Sequence, residues 1–338
     1  MPDQHPAKPA QTPPPDTTLG GLNQREVYYA QQHRAPNTLR GYAADWQEFT
    51  SWCQARGSQP APADPAALTG YLTMLADSGA KLGTISRRLS SIRYVHRMRG
   101  MVDPTTLPRV MLVWDGIRRD KGHDASQSRP LLLPLLIDAL DACPTTRVFK
   151  DPKRADEPDL AGARDRALLL VGFVAALRRS ELSAMNVTDL DDHELGMVIS
   201  LPRSKTNQHG PAELVVLPRS SNPARCPVTA LTTWLDLAGI TDGPVFRGVT
   251  KGNRARPGRL NPESINTLVQ QAITRTGHNP DGYSAHSLRA GFVTHAHLRG
   301  ATDRAIARQT RHRSLASVGT YVRVESAWND NAATNLGL

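Results

Sequence analysis

Six side chains in the second half of the sequence have the chemistry needed to attack a phosphodiester. They are two arginines, a lysine, two histidines and a late tyrosine: Arg178, Lys205, His286, Arg289, His312 and Tyr321. Such an attack by a side chain needs cations around the non-bridging oxygens, a proton donor for the leaving oxygen, and a hydroxyl at attack distance. The six residues together supply all three.

The spacing of the last four residues is specific. His286 and Arg289 form an HxLR sequence, His312 follows Arg289 after 23 residues, and Tyr321 follows His312 after nine. This pattern resembles the tyrosine recombinase, or phage integrase, family of Cre-, Xer- and lambda-integrase-like proteins. The resemblance covers residues 164–321 well, and the first half of the chain only loosely, through a basic helical segment.

The resemblance implies how the cations would act. Arg178 and Arg289 would hold the scissile phosphate through bidentate hydrogen bonds that stabilise a pentavalent transition state. Glu181 would orient the neighbouring cations without reacting, and Lys205 would protonate the departing 5′ oxygen as general acid. Two guanidiniums would make a metal unnecessary, so neither a metal nor a cofactor is implied.

The resemblance also assigns the nucleophile and the two histidines. His286 would hydrogen-bond the phosphate or accept the tyrosine proton, and His312 would donate to a non-bridging oxygen. A phenol has a reference pKa of about 10, so Tyr321 attacks only where cations stabilise its phenolate or a base removes its proton. The product would be a 3′-phosphotyrosyl enzyme. A free 5′ hydroxyl could then attack it and exchange strands by transesterification without ATP.

The residues alone leave simpler explanations open. Arg178 ends a helix predicted over 164–177, where any cation complements the helix dipole. Glu181 can support a second helix directly afterwards, which would instead leave Arg178 at a sharp junction. Lys205 lies between strands predicted over 197–201 and 212–217, and a lysine at a hairpin tip is usually only solvated.

The composition is strongly basic. Lysine and arginine number 41 against 31 acidic residues, which gives a formal net charge of +10. A surplus of this size favours a polyanionic partner such as nucleic acid, although a soluble protein with a basic surface remains an alternative.

Cysteine usage and hydropathy exclude several other classes. The three cysteines, Cys53, Cys143 and Cys226, are far apart, so neither a disulfide framework nor a zinc site is suggested. No apolar stretch of 18 residues occurs, and the N-terminus lacks a basic segment followed by an apolar run. We therefore expect a cytoplasmic, nucleoid-associated protein without membrane contact.

A basic helix is predicted over residues 84–99, with Ile85, Leu89 and Ile92 on one side. The stretch from 81 to 99 holds six basic residues and no acidic one. A solvated face would be expected to carry counter-charges, whereas a DNA-binding face would neutralise phosphates. The predicted DNA contacts are Lys81, Arg87, Arg88, Arg93, Arg97 and Arg99.

The fold class predicted is mainly α with a small β-hairpin, arranged as a two-domain clamp of the tyrosine recombinase type. A chain of 338 residues accommodates two domains. The expected parts are a disordered proline-rich tail (1–20), a helical core-binding domain (21–120), a polar linker (121–129), an α+β catalytic domain (130–325) and a C-terminal tail (326–338). In the first domain a helix starts near Pro36 and buries a series of aromatic residues, namely Tyr42, Trp46, Phe49 and Trp52.

The partners follow from the resemblance. They are double-stranded DNA with inverted-repeat core sites, three further copies of the chain in a tetramer on DNA, and accessory DNA-bending proteins. The tail at 326–338 would dock onto a neighbouring protomer, unless it folds back on its own domain.

Three positions depart from the family pattern. Ala176 and Arg311 stand where the family often has glycine, before the Leu-Arg pair and before the site histidine respectively. Ser287 replaces an aspartate that is common after the first histidine. None of these changes removes a catalytic group, although Arg311 places another bulky cation beside His312.

Three rival functions are also compatible with parts of the sequence. A type IB topoisomerase uses similar chemistry to swivel and reseal one duplex. A DNA-binding protein of the same fold without catalysis would require a broken catalytic position, and none is broken in the sequence. A two-metal nuclease could be built on four acidic residues, Asp189, Asp191, Asp192 and Glu194, although they lie where acidic turns are routine.

Overall fold

A computed structural model describes residues 24–122, 128–151, 154, 156–201 and 212–311. These residues fall into two compact units, 24–122 and 128–311, and each unit has its own hydrophobic core. The described part is mainly helical with small antiparallel sheets, which confirms the predicted fold class. The expected tails at 1–20 and 326–338 and most of the expected linker lie outside the described residues.

The first unit is entirely helical where it is described. Its helices are α1 (Gln24–Gln32), α2 (Pro36–Gln54), α3 (Pro65–Asp77), α4 (Leu82–Met98) and α5 (Pro108–Asp120), with a short 3₁₀ turn at Pro104–Thr106. Proline begins α2, α3 and α5, where its missing N–H would have no helical partner anyway.

The core of the first unit lies between α2, α3 and α4. Phe49, Ile85 and Ile92 are fully buried, and Trp46 and Trp52 pack against this core. The predicted aromatic face of α2 is confirmed for Phe49, Trp46 and Trp52, whereas Tyr42 is half-buried and contacts Tyr94 instead of this core.

The described part of the second unit combines helices with two small sheets. Its helices are α6 (Leu133–Asp141), α7 (Leu160–Val174), α8 (Arg179–Ala184), α9 (Pro227–Leu237), α10 (Pro262–Arg275), α11 (Ala285–Leu298) and α12 (Asp303–Thr310). The strands β1 (Leu190–His193), β2 (Gly196–Leu201) and β3 (Glu213–Pro218) form one antiparallel sheet in that order, while β4 (Arg247–Val249) pairs with β5 (Ala255–Arg259).

Helix α7 is the centre of the second unit. Its residues 167–173 are all buried, as expected for a helix segment that other elements surround. A Cβ built at Gly172 would lie 2.7 Å from Leu288 on α11 and 3.2 Å from Leu182 on α8. The bare backbone at Gly172 thus lets α8 and α11 pack closely against α7.

Two sequence predictions were wrong in detail. Helix α7 ends at Val174 and not at Leu177, because Ala176 adopts a left-handed conformation with φ of 48°. The N–H groups of Ala176 and Leu177 donate to the carbonyls of Phe173 and Gly172, which closes the helix with a Schellman motif. The run of acidic residues after α8 was interpreted as a turn, but residues 190–193 form the edge strand β1.

None of the described helices combines the length and the apolar character needed to cross a bilayer.

Candidate active site

The junction between α7 and α8 positions Arg178. The left-handed turn at Ala176 redirects the chain, so that Arg178 is the residue that precedes the first turn of α8. Its backbone N–H donates to Glu181 Oε2 at 2.8 Å, and its Nη1 donates to Glu181 Oε1 at 2.6 Å. The carboxylate of Glu181 therefore both caps the helix and holds the arginine side chain.

The start of α11 positions His286 and Arg289. Ser284 Oγ accepts the N–H of His286 at 3.2 Å, and the N–H of Ser284 donates to Ser287 Oγ at 2.9 Å. The serine at 287 thus fills the N3 acceptor position of a capping box. An aspartate could accept the same hydrogen bond, which explains why this departure from the family pattern is tolerated.

Arg289 is tied to the Arg178 junction. Its Nη1 donates to the carbonyl of Ala176 at 2.7 Å, and its side chain is almost completely buried. The left-handed turn at Ala176 therefore has a second effect, because it presents the carbonyl that orients Arg289. The two arginines that the sequence pattern predicted to act together are brought to one place by a contact across 113 residues.

His286 lies beside both arginines. Loss of hydration lowers the pKa of its imidazole, and the positive charges of Arg289 and Arg178 lower it further. The ring is therefore mainly neutral near pH 7 and can accept a proton.

Arg311 adds a third guanidinium to this cluster. It follows the last residue of α12 and has φ of 57°, a left-handed conformation. Its Nη2 donates to Glu181 Oε2, and its Nε lies 3.3 Å from Glu213 Oε2 on β3. Sequence reasoning identified Arg311 as a bulky substitute for glycine but did not predict either ion pair.

The other three predicted catalytic residues, Lys205, His312 and Tyr321, lie outside the described residues. Two of them are close in sequence to described residues. Leu201 and Glu213 pair across β2 and β3, and Lys205 lies in the connection between these residues. His312 directly follows Arg311.

Three predicted DNA-binding arginines of α4 pair with acidic residues that lie outside the segment 81–99. Arg87 pairs with Asp45 at 3.1 Å, and Arg93 and Arg97 each lie 3.2 Å from Asp103. Their acidic partners come from α2 and from the turn before α5, so the argument from missing counter-charges was wrong.

The remaining three basic residues differ from one another. Arg88 pairs with Glu48 and donates to the Tyr71 hydroxyl at 2.8 Å. Arg99 lies over the ring of Trp46, whereas Lys81 makes no ion pair with any described residue. Their contact with DNA stays a prediction, and the exposed Arg97 and Lys81 are its best candidates by geometry.

The acidic residues of the nuclease alternative are not gathered into one site. Asp189 accepts the N–H of Asn186 at 2.8 Å, and Asp192 forms an exposed ion pair with Arg219 at 2.7 Å. Across the described ranges, no group of three or more histidine, cysteine or acidic side chains has an arrangement that could hold a metal ion.

The cluster of Arg178, Arg289, Arg311, Glu181 and His286 has the chemistry of a phosphate-binding site. Guanidinium groups match the oxygens of a phosphate in both charge and geometry. The neutral histidine beside them can exchange a proton with a group that reacts at that phosphate.

Comparisons with known proteins agree with this chemistry. Residues 150–327 match the phage integrase family, and residues 26–99 match the phage integrase N-terminal SAM-like domain. An integrase/recombinase xerD homolog from Selenomonas ruminantium is 34% identical over 90% of this chain and 87% of the relative. A tyrosine recombinase XerC from Methylobacterium sp. (strain 4-46) is 27% identical over 94% of each chain.

A solved structure shows the same fold. The XerH site-specific recombinase, in a post-cleavage complex with a palindromic difH substrate, is similar to this chain with a TM-score of 0.61. The likeness covers 92% of this chain and 83% of that one, at 15% sequence identity. The chain therefore belongs to the phage integrase family of tyrosine recombinases, enzymes that cleave and rejoin DNA strands. The resemblance inferred from the sequence is confirmed, whereas the individual site residues remain predictions.

Proposed function

We propose that this protein is a site-specific DNA recombinase in which Tyr321 is the nucleophile. The observation that carries the proposal is the contact between the α7–α8 junction and the start of α11, which brings Arg178, His286 and Arg289 to one cluster. Two cations and a neutral base in one place are what attack by a phenol on a phosphodiester requires.

The cleavage step follows from the chemistry of these groups. The phenol oxygen of Tyr321 forms a bond to phosphorus while the bond between phosphorus and the 5′ oxygen breaks. The phenol proton passes to the neutral imidazole of His286, and the 5′ oxygen receives a proton from Lys205. Arg178 and Arg289 stabilise the charge on the non-bridging oxygens, with a further hydrogen bond from His312.

The rejoining step is the reverse reaction with a different strand. The 3′-phosphotyrosyl bond keeps the energy of the phosphodiester, so a free 5′ hydroxyl from another strand can displace Tyr321 without ATP. Exchange between duplexes requires several active sites at once, so we propose a homotetramer on inverted-repeat DNA in the cytoplasm. The palindromic substrate of the XerH complex supports this choice of DNA.

Detection of a covalent adduct tests the proposal. The purified protein is incubated in EDTA with end-labelled DNA that flanks its own gene, and the products are separated on a denaturing gel. The wild type should give a slow-migrating adduct and Tyr321→Phe should give none. Tyr28→Phe, which makes the same change at an exposed tyrosine of α1, serves as the control.

Each other outcome has a clear meaning. An adduct with Tyr321→Phe shows that Tyr321 is not the nucleophile. If wild type and mutant both bind the DNA tightly and neither forms an adduct, the protein binds DNA without cleaving it. Relaxation of a supercoiled plasmid without exchange between duplexes would favour topoisomerase activity.

A further inference from the structure

Arg311 contacts two carboxylates that come from different elements of the second unit. Its guanidinium pairs with Glu181 of α8 and with Glu213, the first residue of β3. The side chains of Arg311 and Glu181 are only 6% and 2% exposed, and that of Glu213 is 26% exposed. The contact with Glu181 is a buried, hydrogen-bonded ion pair, whereas the contact with Glu213 is a partly exposed charge contact without hydrogen-bond geometry.

Each partner in this contact is close in sequence to a proposed catalytic residue. Glu181 holds Arg178, three residues before it. Glu213 pairs with Leu201 at the base of the connection that contains Lys205. Arg311 itself directly precedes His312. The ion pairs of Arg311 therefore join three segments, and each segment carries one of the proposed catalytic groups.

The backbone at Arg311 would suit glycine better than arginine. Its φ of 57° and ψ of 42° lie in the left-handed region, where a side chain is strained and glycine is not. Burial and the nearby Arg178 also lower the pKa of the Arg311 guanidinium, against the opposing effect of Glu181 and Glu213. The backbone conformation of Arg311 and its burial beside another arginine are both unfavourable, so contacts of its side chain must offset these costs.

We propose that Arg311 is a positioning residue, which fixes Glu181, and through it Arg178, relative to the start of β3. This inference rests on the proposed function, because it assumes that Arg178 binds the reacting phosphate. Arg311 is assigned a positioning role and not a phosphate contact, because its guanidinium already pairs with Glu181 and Glu213.

Removal of this side chain should slow cleavage without weakening DNA binding. In Arg311→Gly the backbone strain is relieved, but Glu181 and Glu213 lose their shared cation. Glu181 is then constrained by Arg178 alone, so the orientation of Arg178 is less fixed. A misplaced phosphate ligand costs about 10- to 100-fold in rate. Affinity for DNA depends on many phosphate contacts, and it should change by no more than about twofold.

The experiment compares wild type with Arg311→Gly, Arg311→Lys and Arg308→Ala. Arg308 is an exposed arginine of α12, three residues before Arg311, so its loss controls for the change in charge. Cleavage is measured as the rate of adduct formation on a nicked suicide substrate at saturating DNA, binding by fluorescence anisotropy, and folding by calorimetry. Free guanidinium at low millimolar concentration is then added, because it can occupy the vacated position and restore part of the rate.

The expected result is slow cleavage with normal binding in Arg311→Gly, partial rescue by guanidinium, and wild-type behaviour in Arg308→Ala. If Arg311→Gly does not fold, Arg311→Lys provides the test. Its single ammonium cannot bridge both carboxylates as a planar fork can, so its rate should still fall by at least about fivefold.

Two outcomes would overturn the inference, and they are distinct from failure of the proposed function. A cleavage rate within about twofold of wild type in both Arg311 variants shows that the side chain does not position the site. A loss of rate that guanidinium does not rescue, with an equal loss of folding stability, shows a purely structural role. If wild type itself forms no adduct that depends on Tyr321, the proposed function fails, and this inference fails with it.

Discussion

Substitution of Glu181 by glutamine should destabilise the second unit strongly while it preserves DNA binding. The carboxylate accepts three hydrogen bonds, from the backbone and side chain of Arg178 and from Arg311. Glutamine retains one oxygen but directs an NH₂ donor at a guanidinium, so one contact becomes repulsive. Arg178 and Arg311 then face each other without the shared anion.

The magnitude follows from the burial of these groups. The side chains of Glu181, Arg311 and Arg178 are 2%, 6% and 18% exposed, so solvent screens their interactions little. Breaking a buried ion pair on one side costs about 3–5 kcal/mol of unfolding free energy. For a unit of this size each kcal/mol lowers the melting temperature by about 2–4 °C, so Glu181→Gln should lower it by about 6–20 °C.

Scanning calorimetry can measure this change, because it resolves separate transitions for separate cooperative units. Glu194→Gln makes the same chemical change in the exposed β1–β2 turn and should shift the transition by less than about 2 °C. The affinity for DNA should stay the same or increase, because an anion beside the phosphate site is removed. A loss of under about 1 kcal/mol in Glu181→Gln would refute the conclusion that this carboxylate is the buried counter-ion of both arginines.

Three further predictions concern the elements that support the site. Ala176→Gly should raise the free energy of unfolding by up to about 1 kcal/mol, because glycine tolerates the left-handed conformation, whereas Ala175→Gly, at a helical φ, should lower it. Urea titration of both variants measures the difference, and equal losses of stability would contradict a strained backbone at position 176. Gly291→Ala would place a Cβ 1.9 Å from the carbonyl oxygen of Leu131, so it should lower the free energy of unfolding by about 1–3 kcal/mol and displace α11. Gly116→Ala, in open space on α5, should be neutral or stabilising. Thermal unfolding and adduct formation test this, and normal stability in Gly291→Ala would contradict the close packing of α11 against Leu131. The pKa of His286 is lowered by dehydration and by two arginines, so the cleavage rate at sub-saturating DNA should fall with decreasing pH only below the ordinary histidine pKa of about 6.5. A pH–rate profile in which the rate already falls above that value would mean that His286 is not the group that accepts the proton.

Local patterns in the sequence correctly predicted several elements. The aromatic spacing in α2 predicted a buried face, and the HxxR spacing predicted that His286 and Arg289 share the first turns of one helix. The β2–β3 hairpin was predicted from two runs of β-branched and aliphatic residues around a polar connection. Each of these features depends on residues that are neighbours along the chain.

Features that depend on distant residues were not predictable in the same way. The helix over 164–177 was extended too far because alanine is a strong helix former, and no composition rule indicates a left-handed Ala176. The carboxylates that pair with the arginines of α4 lie on other elements, so that segment looked unbalanced when considered alone. The contact between Arg311 and Glu181 spans 130 residues, and the only signal for it was an arginine at a position that suits glycine.

Two of the three described non-glycine residues with a positive φ, Ala176 and Arg311, have a common physical meaning. Ala176 and Arg311 each follow the end of a helix in a left-handed conformation, and each directs a contact to the cation cluster. At Ala176 the backbone provides the contact, because its carbonyl orients Arg289, so glycine could serve there equally well. At Arg311 the side chain provides it, so glycine could not. Strain at one of these positions is therefore incidental to the site, whereas strain at the other is retained for an ion pair that orders the cations before any phosphate arrives.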